Sequence, residues 1–75
     1  MNATTLAVLR AIKQLTEQQH GQPPSLREIA RAVPVGTTTI QYHIQKLVRL
    51  GLVTHRLRKA RSIILTPKGK EEAQR

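Results

Sequence analysis

Between Thr37 and Arg49 the sequence places Thr38, Thr39, Gln41, Tyr42 and Gln45 within eight consecutive residues, side chains whose chemistry suits the edges of nucleic-acid bases. A glutamine amide holds a donor and an acceptor in one plane, which fits bidentate pairing with adenine in a major groove; the rival reading is an ordinary solvated helix face. The phenol of Tyr42 can lie against a thymine methyl or a sugar while its hydroxyl bonds a phosphate or base edge; otherwise it lies flat on its own helix or caps the core rim. Thr37, Thr38 and Thr39 are poor helix formers placed at a helix start, where hydroxyls and free N–H groups suit phosphate. N-capping by one of them is compatible with that role. Further on, Arg56, Arg58, Lys59 and Arg61 cluster with no acid between them. Such a loop can approach a phosphate backbone or a narrow minor groove, or can simply protect a strand edge from aggregation. Ser25, Arg27, Lys46 and Arg49 complete the candidate backbone contacts.

The bulk charge points the same way. Thirteen Lys and Arg face four acidic residues, a net charge of +9, and residues 36–66 hold six basic residues and no acid. A basic stretch that excludes acids suits a polyanion, because each neutralised phosphate releases condensed counterions. A solvated surface kept soluble by charge is the plainer alternative.

Other chemistries find little support. Cysteine is absent, and His20, His43 and His55 come from a helix end, the third helix and a strand, with no carboxylate near in sequence, so no metal site is expected. His43 flanks an apolar face and is expected to be partly buried and hydrogen-bonded. All four acids are glutamates, one of them a helix cap and two in the tail, and neither a nucleophile–base pair nor a phosphate loop accompanies them. Neither an enzyme nor a cofactor is expected. No apolar run approaches the ~20 residues of a membrane span, and the N-terminus lacks a signal-peptide pattern. The expectation is a cytoplasmic, nucleoid-associated protein whose residues 1–75 form one domain.

The elements that must position these side chains follow from periodicity. Residues 5–19 predict an amphipathic helix with Val8, Leu9, Ile12, Leu15 and Thr16 on one face, stopped by Gly21 and an extended Pro23-Pro24 connection. Ser25 and Glu28 form an S-x-x-E capping box that opens a second helix, with Leu26, Ile29 and Ala30 as its apolar stripe. Pro34 ends that helix at Val33. A third helix over 37–50 buries Ile40, Ile44 and Leu47, turns Thr38, Tyr42, Gln45 and Arg49 outward, and closes at Gly51. Strands at 52–56 and 62–66 flank a loop at 57–60. Thr66-Pro67 has the form of a helix start, but the segment behind it is too short and charged to stand as a helix alone. The fold class is α+β, mainly helical: a three-helix bundle with a two-stranded β-hairpin wing, the winged helix-turn-helix.

Two segments, 21–30 (GQPPSLREIA) and 39–47 (TIQYHIQKL), together with Gly51-Leu52-Val53 and the strand Arg61-Ser62-Ile63-Ile64-Leu65, make the chain resemble the DNA-binding domains of LexA-type SOS repressors. A weaker resemblance, through Leu65-Thr66-Pro67-Lys68-Gly69, is to MarR-like winged helices. The LexA resemblance implies operator binding with base contacts from the third helix, at Thr38, Thr39, Gln41 and Tyr42. It departs from the family at Pro34, where glycine is usual, and in having no counterpart of the self-cleaving peptidase half, so neither dimerisation nor cleavage carries over. The function expected is sequence-specific binding of double-stranded DNA by a transcription regulator. The alternatives are a winged-helix module for RNA or protein interaction, and the DNA-targeting module of a larger protein. No apolar stripe is left over for a permanent dimer, so a monomer is expected in solution, able to pair with a second copy on a palindromic site.

Overall fold

Asn2 opens the first helix, its side chain accepting a hydrogen bond from the Thr5 N–H at 2.8 Å. That cap starts α1 (Ala3–Gln18) two residues ahead of the periodicity, and the buried face holds Thr5 and Ala11 alongside Val8, Leu9 and Ile12. Leu15 and Thr16 are only half-buried. The computed structural model describes residues 1–56 and 58–75; Leu57, within the expected loop, lies outside the described residues. At the end of α1 the left-handed residue after the cap is His20, at φ 58, one position before the glycine that was expected to stop the helix. Bonds from Gly21 to the Thr16 carbonyl and from His20 to the Glu17 carbonyl satisfy the last turn.

The helix α2 (Leu26–Ala32) starts in the reciprocal Ser25–Glu28 capping box and ends at an extended Val33. Pro34 does not disrupt the turn that follows. The Val35 N–H reaches back to the Val33 carbonyl at 2.8 Å, a three-residue turn centred on the proline. The chain then enters α3 (Thr37–Arg49) through Gly36 at φ 87, a left-handed geometry that a side chain would strain. Ile40, Ile44 and Leu47 are buried as the spacing requires, and Gly51 closes the helix with the Leu52 N–H bonded to the Leu47 carbonyl.

The wing is shorter in strand than the sequence suggests. Among the described residues only β1 (Val53–Thr54) and β2 (Ile64–Leu65) pair, antiparallel, with Val53 opposite Leu65 and Thr54 opposite Ile64. Beyond them the Ser62 hydroxyl takes over. It accepts from the Arg56 N–H at 3.1 Å, and its proton faces the Arg56 and Lys59 carbonyls at 3.0 and 2.9 Å. Side-chain bonding of this kind competes directly with a strand ladder.

A fourth helix, α4 (Pro67–Ala73), does form behind the Thr66 cap. What holds so short and charged a helix is tertiary contact. Thr66 donates its hydroxyl to the Gly51 carbonyl at 2.7 Å, and Gly69 packs so closely on Leu52 that a β-carbon there would overlap the Leu52 carbonyl oxygen. The core draws on every element, from Val8, Leu9 and Ile12 through Ile29, Ile40, Ile44 and Leu47 to Val53, Leu65 and Ala73. It presses α1 against α2, α3 and α4, and leaves the outer face of α3 to solvent. Among the described residues no helix is long and apolar enough to cross a membrane.

Candidate nucleic-acid interface

The periodicity that buries Ile40, Ile44 and Leu47 turns the rest of α3 outward. Thr37, Thr38, Thr39, Gln41, Gln45 and Arg49 are exposed, Lys46 is half-buried, and Tyr42 is 56% exposed. The chain's single aromatic is therefore kept out of the core. Its ring stands T-shaped to that of His43, with the centroids 5.2 Å apart. His43 itself is buried, with Nδ1 2.9 Å from the Thr5 hydroxyl, a polar tie between α3 and α1.

The N-terminus of α3 has no side-chain cap, because Gly36 occupies the cap position. The first N–H groups of the helix and the hydroxyls of Thr37, Thr38 and Thr39 thus share one exposed end, an arrangement that favours an anion through both free donors and the helix dipole. None of the three threonines acts as the cap.

The basic residues divide into two groups. Arg27, Arg49, Arg56, Arg58 and Lys59 are exposed, and among the described residues none of them lies within ion-pair distance of a carboxylate. Arg61 is engaged instead. Its Nη1 lies 2.9 Å from Glu28 Oε1, 3.2 Å from Gln19 Oε1 and 3.1 Å from the Pro23 carbonyl. The acid-free character of residues 36–66 is thus offset at Arg61 by an acid from α2. The Ser25 hydroxyl is likewise occupied, accepting from the Glu28 N–H at 3.2 Å.

Glu28 sits at the centre of these contacts, and its carboxyl is held down to about 2 from an ordinary 4.5. The main cause is the hydrogen bond from the Ser25 backbone N–H; donation by the Arg61 and Gln19 side chains adds to it. A carboxylate depressed in this way stabilises the fold at every pH above about 4.5, and that contribution disappears as pH falls toward about 2. Thermal melts of the wild type between pH 5 and pH 2 should show this loss. Glu28→Gln should be less stable at pH 5 and should lack that part of the acid dependence.

Between α3 and the wing runs a shallow groove lined by Gln41, Ile44, Gln45 and His55. A second groove joins Ser25, Leu26 and Arg27 at the start of α2 to His55, Lys59 and Arg61 of the wing. His55 borders both, yet it escaped selection as a contact residue because its position just past β1 carries no local signal. Of the candidates, Ser25, Arg27, Gln41, Gln45, Lys59 and Arg61 line these two grooves, while Thr37, Thr38, Thr39, Tyr42, Lys46, Arg49, Arg56 and Arg58 stand outside them.

A model of the family described as helix-turn-helix domain matches residues 1–56. The chain belongs to that family. This helix-turn-helix domain is 40% identical to the LexA repressor of Limosilactobacillus reuteri over 65 residues, which cover 85% of the chain and 31% of that protein. It is 40% identical to the LexA repressor of Enterococcus faecalis over 68 residues, 89% of the chain and 32% of that protein. The domain therefore spans less than a third of the length of these curated relatives. Among solved structures it is similar to one from a study of how 6-hydroxynicotinic acid regulates DNA binding by Bordetella bronchiseptica BpsR. There the identity is 25% and the TM-score 0.75, over 99% of this chain and 51% of the other. The described residues form four helices and a two-stranded hairpin, a winged helix-turn-helix like the N-terminal part of LexA.

Proposed function

We propose that this domain binds double-stranded DNA sequence-specifically as part of a transcription regulator, with α3 in the major groove and the wing on the backbone or neighbouring minor groove. The observation that carries the reading is the outer face of α3. Gln41, Tyr42 and Gln45 are exposed there between an uncapped helix N-terminus and cations that, among the described residues, face no carboxylate. The relatives, LexA repressors and the DNA-binding BpsR, support it. In this reading Thr38, Thr39, Gln41, Tyr42 and Gln45 meet base edges. Ser25, Arg27, Thr37, Lys46, Arg49, Arg56, Arg58 and Lys59 meet phosphate. The greater length of the relatives favours a second reading, the DNA-targeting part of a larger protein, which uses the same interface.

Selection of bound duplexes from a random library tests specificity and shows whether the site is palindromic. On the selected site, Gln41→Ala or Tyr42→Ala should cost about 1–3 kcal/mol, with little change on random DNA. The double change Arg58→Ala with Lys59→Ala should weaken both to a similar degree. If the two sets of variants behave alike in competition binding, the division into base readers and phosphate holders fails. The free domain should sediment as a monomer at micromolar concentration, since Ile40, Ile44, Leu47 and the α1 stripe are spent in its own core. Two copies should pair only on a palindrome whose half-sites lie about one helical turn apart. A stable dimer in analytical ultracentrifugation would contradict this.

A further inference from the structure

We propose that Arg61 is a positioning residue: through Glu28 it fixes the wing against the start of α2, and it does not itself hold DNA phosphate. This rests on the DNA-binding reading above. The β1–β2 ladder is two residue pairs long, so the wing has little support of its own. Burial of Val53, Ile63 and Leu65 holds its base to the core, and two side chains fix its outer part. Ser62 ties the hairpin to itself, and Arg61 ties it to the body of the domain.

The second tie joins three separate parts of the chain. Arg61 Nη1 reaches Gln19 at the end of α1, the Pro23 carbonyl in the connection and Glu28 in the first turn of α2; Nη2 meets the second Glu28 oxygen at 3.4 Å. Gln19 closes the ring by donating its own Nε2 to Glu28 Oε2 at 2.9 Å. The guanidinium fork thus meets both carboxylate oxygens, an arrangement specific to arginine that lysine cannot reproduce. For Arg61 to reach a phosphate it would have to leave Gln19, Pro23 and Glu28 together. Glu28, one residue beyond the exposed Arg27, would keep its bonds from Ser25 and Gln19 but lose its cation, leaving an unbalanced negative charge beside the interface. Glu28 accordingly has two tasks, capping α2 and anchoring the wing.

Two variants separate the possibilities. Glu28→Gln keeps a side chain able to cap α2 but removes the charge that holds Arg61, and Arg61→Lys keeps the positive charge but removes the fork. Backbone amide exchange over residues 55–63 of the free domain, with circular dichroism to confirm folding, reads the tie without DNA. Duplex affinity across a salt series reads its consequence. Both variants should exchange faster in the wing and bind DNA about 10-fold more weakly, and the double variant should be no worse than either alone. Unchanged wing exchange in both variants overturns the proposal. So does unchanged or tighter DNA binding by Glu28→Gln with a salt slope steeper by about one, the sign of an arginine released onto phosphate. Arg61→Lys binding like wild type would also overturn it, because a point charge would then suffice. Should the wild type show no salt-dependent duplex binding, the DNA reading fails by itself, and the exchange measurement still decides whether Arg61 holds the wing.

Discussion

Raising the salt from 50 to 200 mM is expected to weaken duplex binding by about 500-fold, corresponding to a slope of log K against log salt of about −4 to −5. The size follows from the inventory of cations. Lys46 and Arg49 on α3 and Arg56, Arg58 and Lys59 on the wing lie on or beside the proposed interface, and none faces a carboxylate among the described residues. Each phosphate neutralised releases about 0.9 of a counterion, so roughly five contacts give the slope. Arg61 is left out of this count because Glu28 already balances it. A titration by fluorescence anisotropy with a labelled duplex measures the slope directly. A flat line would remove DNA as the partner. Arg27 on α2 adds at most one further contact, so a slope well beyond about −5.5 would mean that Arg61 also reaches the backbone.

Ile40→Ala should come close to unfolding the domain. Ile40 is fully buried on the inner face of α3, the helix that packs against both α1 and α2. Truncating a large aliphatic side chain at such a site costs about 2–5 kcal/mol, from lost transfer energy and the cavity left behind. A domain of this size has only about 4–11 kcal/mol in total, at roughly 0.05–0.15 kcal/mol per residue. With no cysteine, phenylalanine or tryptophan in the chain, no disulfide can compensate, and the one large aromatic, Tyr42, lies outside the core. Tyr42→Ala, two positions along and on the opposite face, should change stability by no more than about 0.5 kcal/mol. Urea unfolding followed by circular dichroism compares the two. Equal midpoints would mean that the inner and outer faces of α3 have been exchanged.

What was legible in the sequence was local. The capping box needs only Ser25 and Glu28 three residues apart, and the two faces of α3 follow from helical spacing within thirteen residues. The candidate base-reading side chains could therefore be placed on one surface before any tertiary structure was known. The failures have tertiary or side-chain causes. The strands were drawn too long because β propensity at 52–56 and 62–66 says nothing of a Ser62 hydroxyl that displaces the ladder. The terminal helix was undervalued because its support comes from Leu52, a residue distant in sequence from Gly69. The tie between Arg61 and Glu28 leaves no local sign in the sequence because the two lie 33 residues apart. Pro34, an apparent departure from the usual turn, proves compatible with it once the bend is made at Val33–Val35 and the left-handed step is taken by Gly36.

Two wing arginines, Arg58 at φ 63 and Arg61 at φ 55, hold a backbone conformation that a β-carbon disfavours by about 1–2 kcal/mol. Their fates under selection should differ. A library screened for heat tolerance alone would be expected to drift at position 58 toward asparagine or glycine, which relax the backbone, and to lose DNA affinity as it did so. At position 61 the same screen should retain arginine, because the strain there is offset by bonds to three other parts of the chain. Laboratory evolution without DNA would thus erode one arginine and keep its neighbour.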